Sequence, residues 1–191
     1  MTMVTDLGDL AVLLPIAVAI AVWLVVQRGW RDALAWAAAL ALCIGGTALL
    51  KIFCYACPLL SAAHNPSGHT SLSALVYGTL AVILAAAMPG RRRVAVFLAA
   101  AALICAIAAS RVALGAHSAA DTAAGMILGF ASLAVFAAHY LRQGHALPAT
   151  RTLAIVVALI VALLHGQDLR AEQMLQAIGV YLHRSDAAGC E

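Results

Sequence analysis

The sequence predicts an all-α fold, an integral membrane helical bundle of five to six transmembrane helices. Two observations predict it. Hydrophobic residues make up 65% of the chain and charged residues only 10%, whereas a soluble domain of ordinary composition carries about 25% charge. The apolar residues also come in long blocks rather than alternating stripes, which is the pattern of membrane helices and not of a soluble core. The length of 191 residues fits one domain, with no long repeat and no low-complexity linker.

In chain order the blocks predict helices at about 10–27, 33–51, 69–89, 94–110, 119–140 and 152–165. A bilayer span needs ~20 residues, with a range of roughly 17–25. The first five segments meet or approach that length. The sixth is short, bounded by Arg151 and His165, and spans only if Arg151 snorkels or residues beyond His165 join it. The first block is not a signal peptide, because Asp6 and Asp9 precede it and Arg28 and Arg31 follow it, the reverse of a signal peptide's charge order. After His165 the chain turns polar, and Leu169, Leu175, Ile178 and Leu182 suggest one amphipathic helix. That segment reads as a solvated tail on the headgroups in preference to a substrate lid. The expected division is therefore a bundle over residues 1–165 and an amphipathic tail over 166–191.

Charge placement sets the orientation. Arg28 and Arg31, then Arg91, Arg92 and Arg93, then Arg142 and Arg151 fall in alternate interhelical segments, all on one side. The positive-inside rule makes that side cytoplasmic. Asp6, Asp9, Lys51, the segment around His64 to His69, and Ser110 to Asp121 fall on the other side, which then faces outward. So compact a bundle with its unusual polar residues facing outward fits a bacterial inner membrane, with that side toward the periplasm. The net charge of +3 is uninformative, and no basic stripe with interleaved aromatics supports nucleic-acid binding.

Ionisable residues near membrane depth are costly and are functional candidates by default. Here they cluster. Lys51 is the only lysine of the chain, and Asp121 is the only carboxylate inside the later apolar segments. In Asn65-Pro66-Ser67-Gly68-His69, Pro66 suits a helix start and Gly68 allows close approach of backbone to a ligand. A helix N-terminus offers unpaired N–H groups to an anion. Ser67 adds a hydroxyl and His69 a proton carrier, although a plain helix cap beside a surface histidine would look the same. His117 and Asp121, four residues apart, share a helix face, so the carboxylate can accept from Nδ1 and leave Nε2 as nucleophile or base. Arg111 supplies a planar fork matched to phosphate oxygens. The plain alternative is that Arg111 snorkels and pairs with Asp121. Gly125-x-x-x-Gly129 continues the same face and marks either close helix packing or a dimer face. Cys54 and Cys57 form a C-x-x-C, read first as two thiols at a helix end and second as a disulfide. No cofactor motif and no metal-ligand spacing accompanies these residues.

Taken together, the motifs resemble the type 2 phosphatidic acid phosphatase superfamily, which also includes vanadium haloperoxidases. That family's signature is K-x6-R-P, P-S-G-H and S-R-x5-H-x3-D. The second part is intact as Pro66 to His69, and the third as Ser110, Arg111, His117 and Asp121. The resemblance covers about residues 45–135. It implies that His117 attacks phosphorus, that Asp121 orients it and that His69 is the general acid. It further implies that Lys51, Ser67, Gly68 and Arg111 bind the phosphate, with no metal. The first part departs from the pattern, because Pro58 stands where the family has its arginine; His64 is the nearest candidate substitute. The expected activity is hydrolysis of a lipid phosphate or diphosphate, such as an isoprenyl diphosphate, phosphatidylglycerophosphate or phosphatidic acid, through a phosphohistidine. The competing readings are a lipid-to-lipid phosphotransferase and a non-catalytic lipid-phosphate binder or transporter. Haloperoxidase chemistry belongs to a soluble branch and is set aside.

Overall fold

A computed structural model describes residues 2–57, 65–143, 150–167 and 171–184. The described residues contain helices and no strand: α1 (Thr2–Asp6), α2 (Leu10–Gln27), α3 (Trp30–Ala56), α4 (Gly68–Ala86), α5 (Gly90–Ala113), α6 (Ala119–Arg142), α7 (Thr150–Leu164) and α8 (Ala171–Arg184). Five helical segments are long and apolar enough to cross a bilayer, the architecture of an integral membrane protein. They correspond to the first five predicted segments. The apolar α7 has 15 residues. At 1.5 Å per residue it reaches roughly 22 Å, short of a hydrocarbon core of about 30 Å. It packs along α2, where Leu153 is buried.

The bundle is organised around α4. In its most apolar 18-residue window 83% of positions are buried, against 50% or less in the other four spans, so α4 is the central helix. Its neighbours are α2, α3, α5 and α6. The sequence explains why α4 can sit there. Thr70, Ser71, Ser73, Gly78 and Thr79 are small or hydroxyl-bearing, and all are buried. Without a hydrophobic drive between helices in lipid, close approach through small residues supplies the contact energy. Gly125 and Gly129 of α6 face this helix: an added Cβ at Gly125 would meet the Ser67 carbonyl oxygen, and one at Gly129 the Ser71 carbonyl. The two glycines therefore serve packing within the chain. Large apolar side chains such as Val22, Leu49, Leu98 and Ile127 point outward, as lipid-facing positions must.

Three features depart from the sequence expectations. A short helix, α1, precedes the first span and docks on α5. The amphipathic helix α8 is not a tail set apart on the headgroups; it packs on α3, with Gly179 against Tyr55. Its buried glycine lets the two backbones approach where any larger residue would hold them apart. Finally, Cys57 is disulfide-bonded and Cys54 is not, so the two cysteines of the C-x-x-C are neither both reduced nor joined to each other. Pro58, His64 and Cys190 lie outside the described residues.

Candidate active site

The ends of α2, α3, α4, α5 and α6 that carry the candidate residues meet at one end of the bundle. Between them lies a cavity of about 610 Å³. Lys51, Gly68, His69 and Arg111 line it, together with Asp6 and Asp9. Much of its wall is apolar: Leu10, Ile44, Ala48 and Leu72 from the bundle, and Met174, Leu175 and Ile178 from α8.

Lys51 sits a turn and a half before the end of α3 and is 1% exposed. Burial of an ammonium demands partners. Its Nζ donates to Asn65 Oδ1 at 3.2 Å, and the Asn65 side-chain amide donates onward to the Tyr55 hydroxyl at 2.8 Å. Gly68 opens α4 beside it; an added Cβ there would stand 3.8 Å from Lys51 Cε, in ordinary contact. Behind Gly68, the Thr47 and Ser71 hydroxyls share a hydrogen bond of 3.0 Å that joins α3 to α4. His69 follows Gly68, with its side chain 25% exposed and Nε2 3.4 Å from Asp9 Oδ2.

Arg111 and His117 are brought together by the turn that ends α5. Gly115 adopts φ +66°, a left-handed conformation that glycine takes at little cost, and the chain doubles back. The Arg111 carbonyl then accepts from the Ala116 amide at 3.1 Å and from the His117 amide at 3.3 Å. Ser118 caps α6 in a reciprocal pair with Asp121: the Asp121 amide donates to Ser118 Oγ at 3.1 Å, and the Ser118 amide donates to Asp121 Oδ2 at 2.9 Å. Asp121 Oδ1 accepts from the Asn65 amide at 2.8 Å, and its carbonyl accepts from the Ser67 amide at 3.0 Å. Two hydrogen bonds from backbone amides thus fasten the start of α6 to the start of α4.

His117 Nδ1 faces Asp121 Oδ2 at 3.8 Å, an ion-pair distance longer than a hydrogen bond. The reason is visible in the cap: the same oxygen is held by the Ser118 amide. The pairing expected from the spacing is present, in a looser form. Ser67 is fully buried, and its hydroxyl accepts from Thr70 at 3.1 Å. Ser67, His117 and Asp121 do not line the cavity; they adjoin it through Asn65 and the Arg111 turn.

Two contributors escaped the sequence reading. Asn65 connects Lys51, Tyr55 and Asp121, and its place directly before the Pro-Ser-Gly-His run was the available signal. Asp9 carried only topological meaning in the sequence, although it stood on the same side as the other candidates. Among the described residues, no group of three or more His, Cys, Asp or Glu side chains is placed to hold a metal ion.

No curated protein and no solved structure matches the chain. The sequence model of the PAP2 superfamily matches residues 53–145, a stretch that contains Ser67, Gly68, His69, Arg111, His117 and Asp121 and begins just after Lys51. Members of that superfamily are phosphatases of phosphate esters. Residues 53–145 thus match the PAP2 superfamily, a family of phosphatases, within a chain whose helices form a membrane bundle.

Proposed function

We propose that the chain hydrolyses the phosphate or diphosphate headgroup of a membrane lipid, without a metal, at the outward-facing end of the bundle. One observation carries this reading: Lys51, His69 and Arg111 meet in a cavity whose remaining wall is largely apolar. Cations and an acid at one end suit a phosphate. Leu10, Ile44, Leu72, Met174 and Ile178 suit the hydrocarbon that follows it. The arginine-rich segments at the opposite end support this orientation through the positive-inside rule.

In the proposed reaction the phosphate sits against Lys51, the Gly68 backbone and Arg111, which spread its charge. The lone pair of His117 Nε2 attacks phosphorus, and the bond from phosphorus to the lipid oxygen breaks. His69 gives that oxygen a proton. Asp121, on the Nδ1 side of His117, stabilises the ring as positive charge develops. Water then attacks the phosphohistidine, His69 takes the water's proton, and the P–N bond breaks to release inorganic phosphate and restore both histidines. General acid help is worth typically ~10²–10⁴-fold.

The test is inorganic phosphate release by purified protein in detergent from an isoprenyl diphosphate, phosphatidylglycerophosphate and phosphatidic acid, beside His117→Ala. Release that vanishes in the variant supports the reading and ranks the lipids. A folded protein that releases nothing from any of the three contradicts hydrolysis and favours transfer or binding. Vanadate is expected to inhibit as a phosphate mimic. EDTA is expected to leave the rate unchanged, and loss of activity restored by a divalent ion contradicts a metal-free reaction.

A further inference from the structure

Residues 5–9 are built into the site. Thr5 of α1 donates to Ser110 Oγ at 2.7 Å, and Ser110 in turn donates to the Ile107 carbonyl at 2.7 Å. The Tyr77 hydroxyl of α4 donates to the Leu7 carbonyl at 2.7 Å. Gly8 fits against Ile107 and Ser73 so closely that an added Cβ would stand 2.7 Å from Ile107 Cγ2. The turn before α2 is thus fastened to α4 and α5, and it delivers Asp9. This carboxylate is 4% exposed. Its Oδ1 accepts from the Ala11 amide at 2.8 Å, capping α2, while its Oδ2 faces His69 Nε2 at 3.4 Å. Asp6, Lys51 and Arg111 also line this cavity, but Asp9 is the carboxylate in ion-pair contact with His69.

We propose that Asp9 is a positioning residue for His69. By holding Nε2–H, the carboxylate fixes the ring so that Nδ1 is the nitrogen that gives its proton to the leaving oxygen. After that transfer the ring is left as the Nε2–H tautomer, which is the one a carboxylate at Nε2 accepts from. The proposal rests on the reading of His69 as general acid. It adds a residue from outside the matched stretch, supplied by the N-terminal turn.

Asp9→Asn is the informative substitution. Asparagine caps a helix about as well as aspartate, so α2 keeps its start while the charge and the acceptor at Nε2 are lost. The readout is kcat/KM, which reports steps through departure of the leaving group. It is compared on the lipid phosphate turned over fastest and on p-nitrophenyl phosphate, whose leaving group needs little protonation. His69→Ala is expected to lose far more on the lipid than on the aryl ester. Asp9→Asn is expected to show the same selectivity at about tenfold or more, as a share of the ~10²–10⁴ of general acid catalysis. Asp9→Glu is expected to recover part of the loss, and adding Asp9→Asn to His69→Ala is expected to cost nothing further. If His69→Ala is selective while Asp9→Asn is silent, or lowers both substrates equally, the assignment of Asp9 is overturned and that of His69 stands. If His69→Ala itself shows no selectivity, the general acid reading falls and the role of Asp9 falls with it.

Discussion

The two ends of the bundle each hold histidine–aspartate contacts, and they are built differently. At the arginine-rich end, Asp32 is 4% exposed and both its oxygens are engaged at 2.9 Å, one by Arg28 Nε and the other by His139 Nε2. The Arg28 guanidinium also lies 4.5 Å from the Tyr140 ring centre, and Tyr140 stacks on Phe136, which meets Trp36 edge-on. This cluster ties α2, α3 and α6 together. At the other end the contacts are longer, 3.4 Å between Asp9 and His69 and 3.8 Å between Asp121 and His117, and the carboxylates are held by backbone amides instead. Lys51 and Arg111 there line a cavity. The same residue types make a closed fastening where short contacts consume them, and a site where the backbone holds the carboxylate and the imidazole keeps room to act.

Substitutions at each end sharpen that contrast. The largest effect is expected for Asp121→Asn, which removes the charge beside His117 and should lower kcat by about 10⁴-fold, as loss of an orienting carboxylate does elsewhere. A loss below tenfold would make Asp121 a capping residue only. At the opposite end, Asp32→Ala leaves Arg28 buried without its carboxylate and should cost about 3 kcal/mol in unfolding free energy. The rate per folded molecule should be unchanged, and a fall in kcat would show that the two ends are coupled. Gly125→Ala is expected to be smaller, about 1–3 kcal/mol of stability, because its methyl must be accommodated against the Ser67 carbonyl. It should lower kcat as well, since the strained segment leads into Gly68 and His69. A change in stability alone would separate this packing from the site.

The parts of this arrangement that were legible in the sequence are those written locally. Block length and hydropathy set out the five spans, and arginine placement put the candidates on one side. The spacing of His117 and Asp121 foretold their pairing but not its geometry, because α6 begins at Ala119 and His117 stands before the helix rather than on a face of it. What was not legible depends on contacts between distant segments. Nothing local to Asp9 says that its second oxygen will meet a histidine sixty residues away on another helix. The glycines of α6 read equally as a packing face or a dimer face until the Ser67 and Ser71 carbonyls were found against them. The amphipathic pattern of α8 foretold a helix with one apolar face. Whether lipid or α3 would cover that face was decided by the fit of Gly179 on Tyr55. The expected His117–Asp121 hydrogen bond was lengthened by a competitor the spacing could not reveal, the Ser118 amide on the same oxygen.

The central claim is that phosphate reacts at the end that joins Lys51, His69 and Arg111 to His117. Its most direct test is a rapid turnover with lipid carrying labelled phosphorus, quenched in alkali to preserve phosphohistidine and followed by mapping of the label. The account predicts label on His117 in the intact protein and none in His117→Ala. Label at another residue, or turnover that survives His117→Ala, would contradict it.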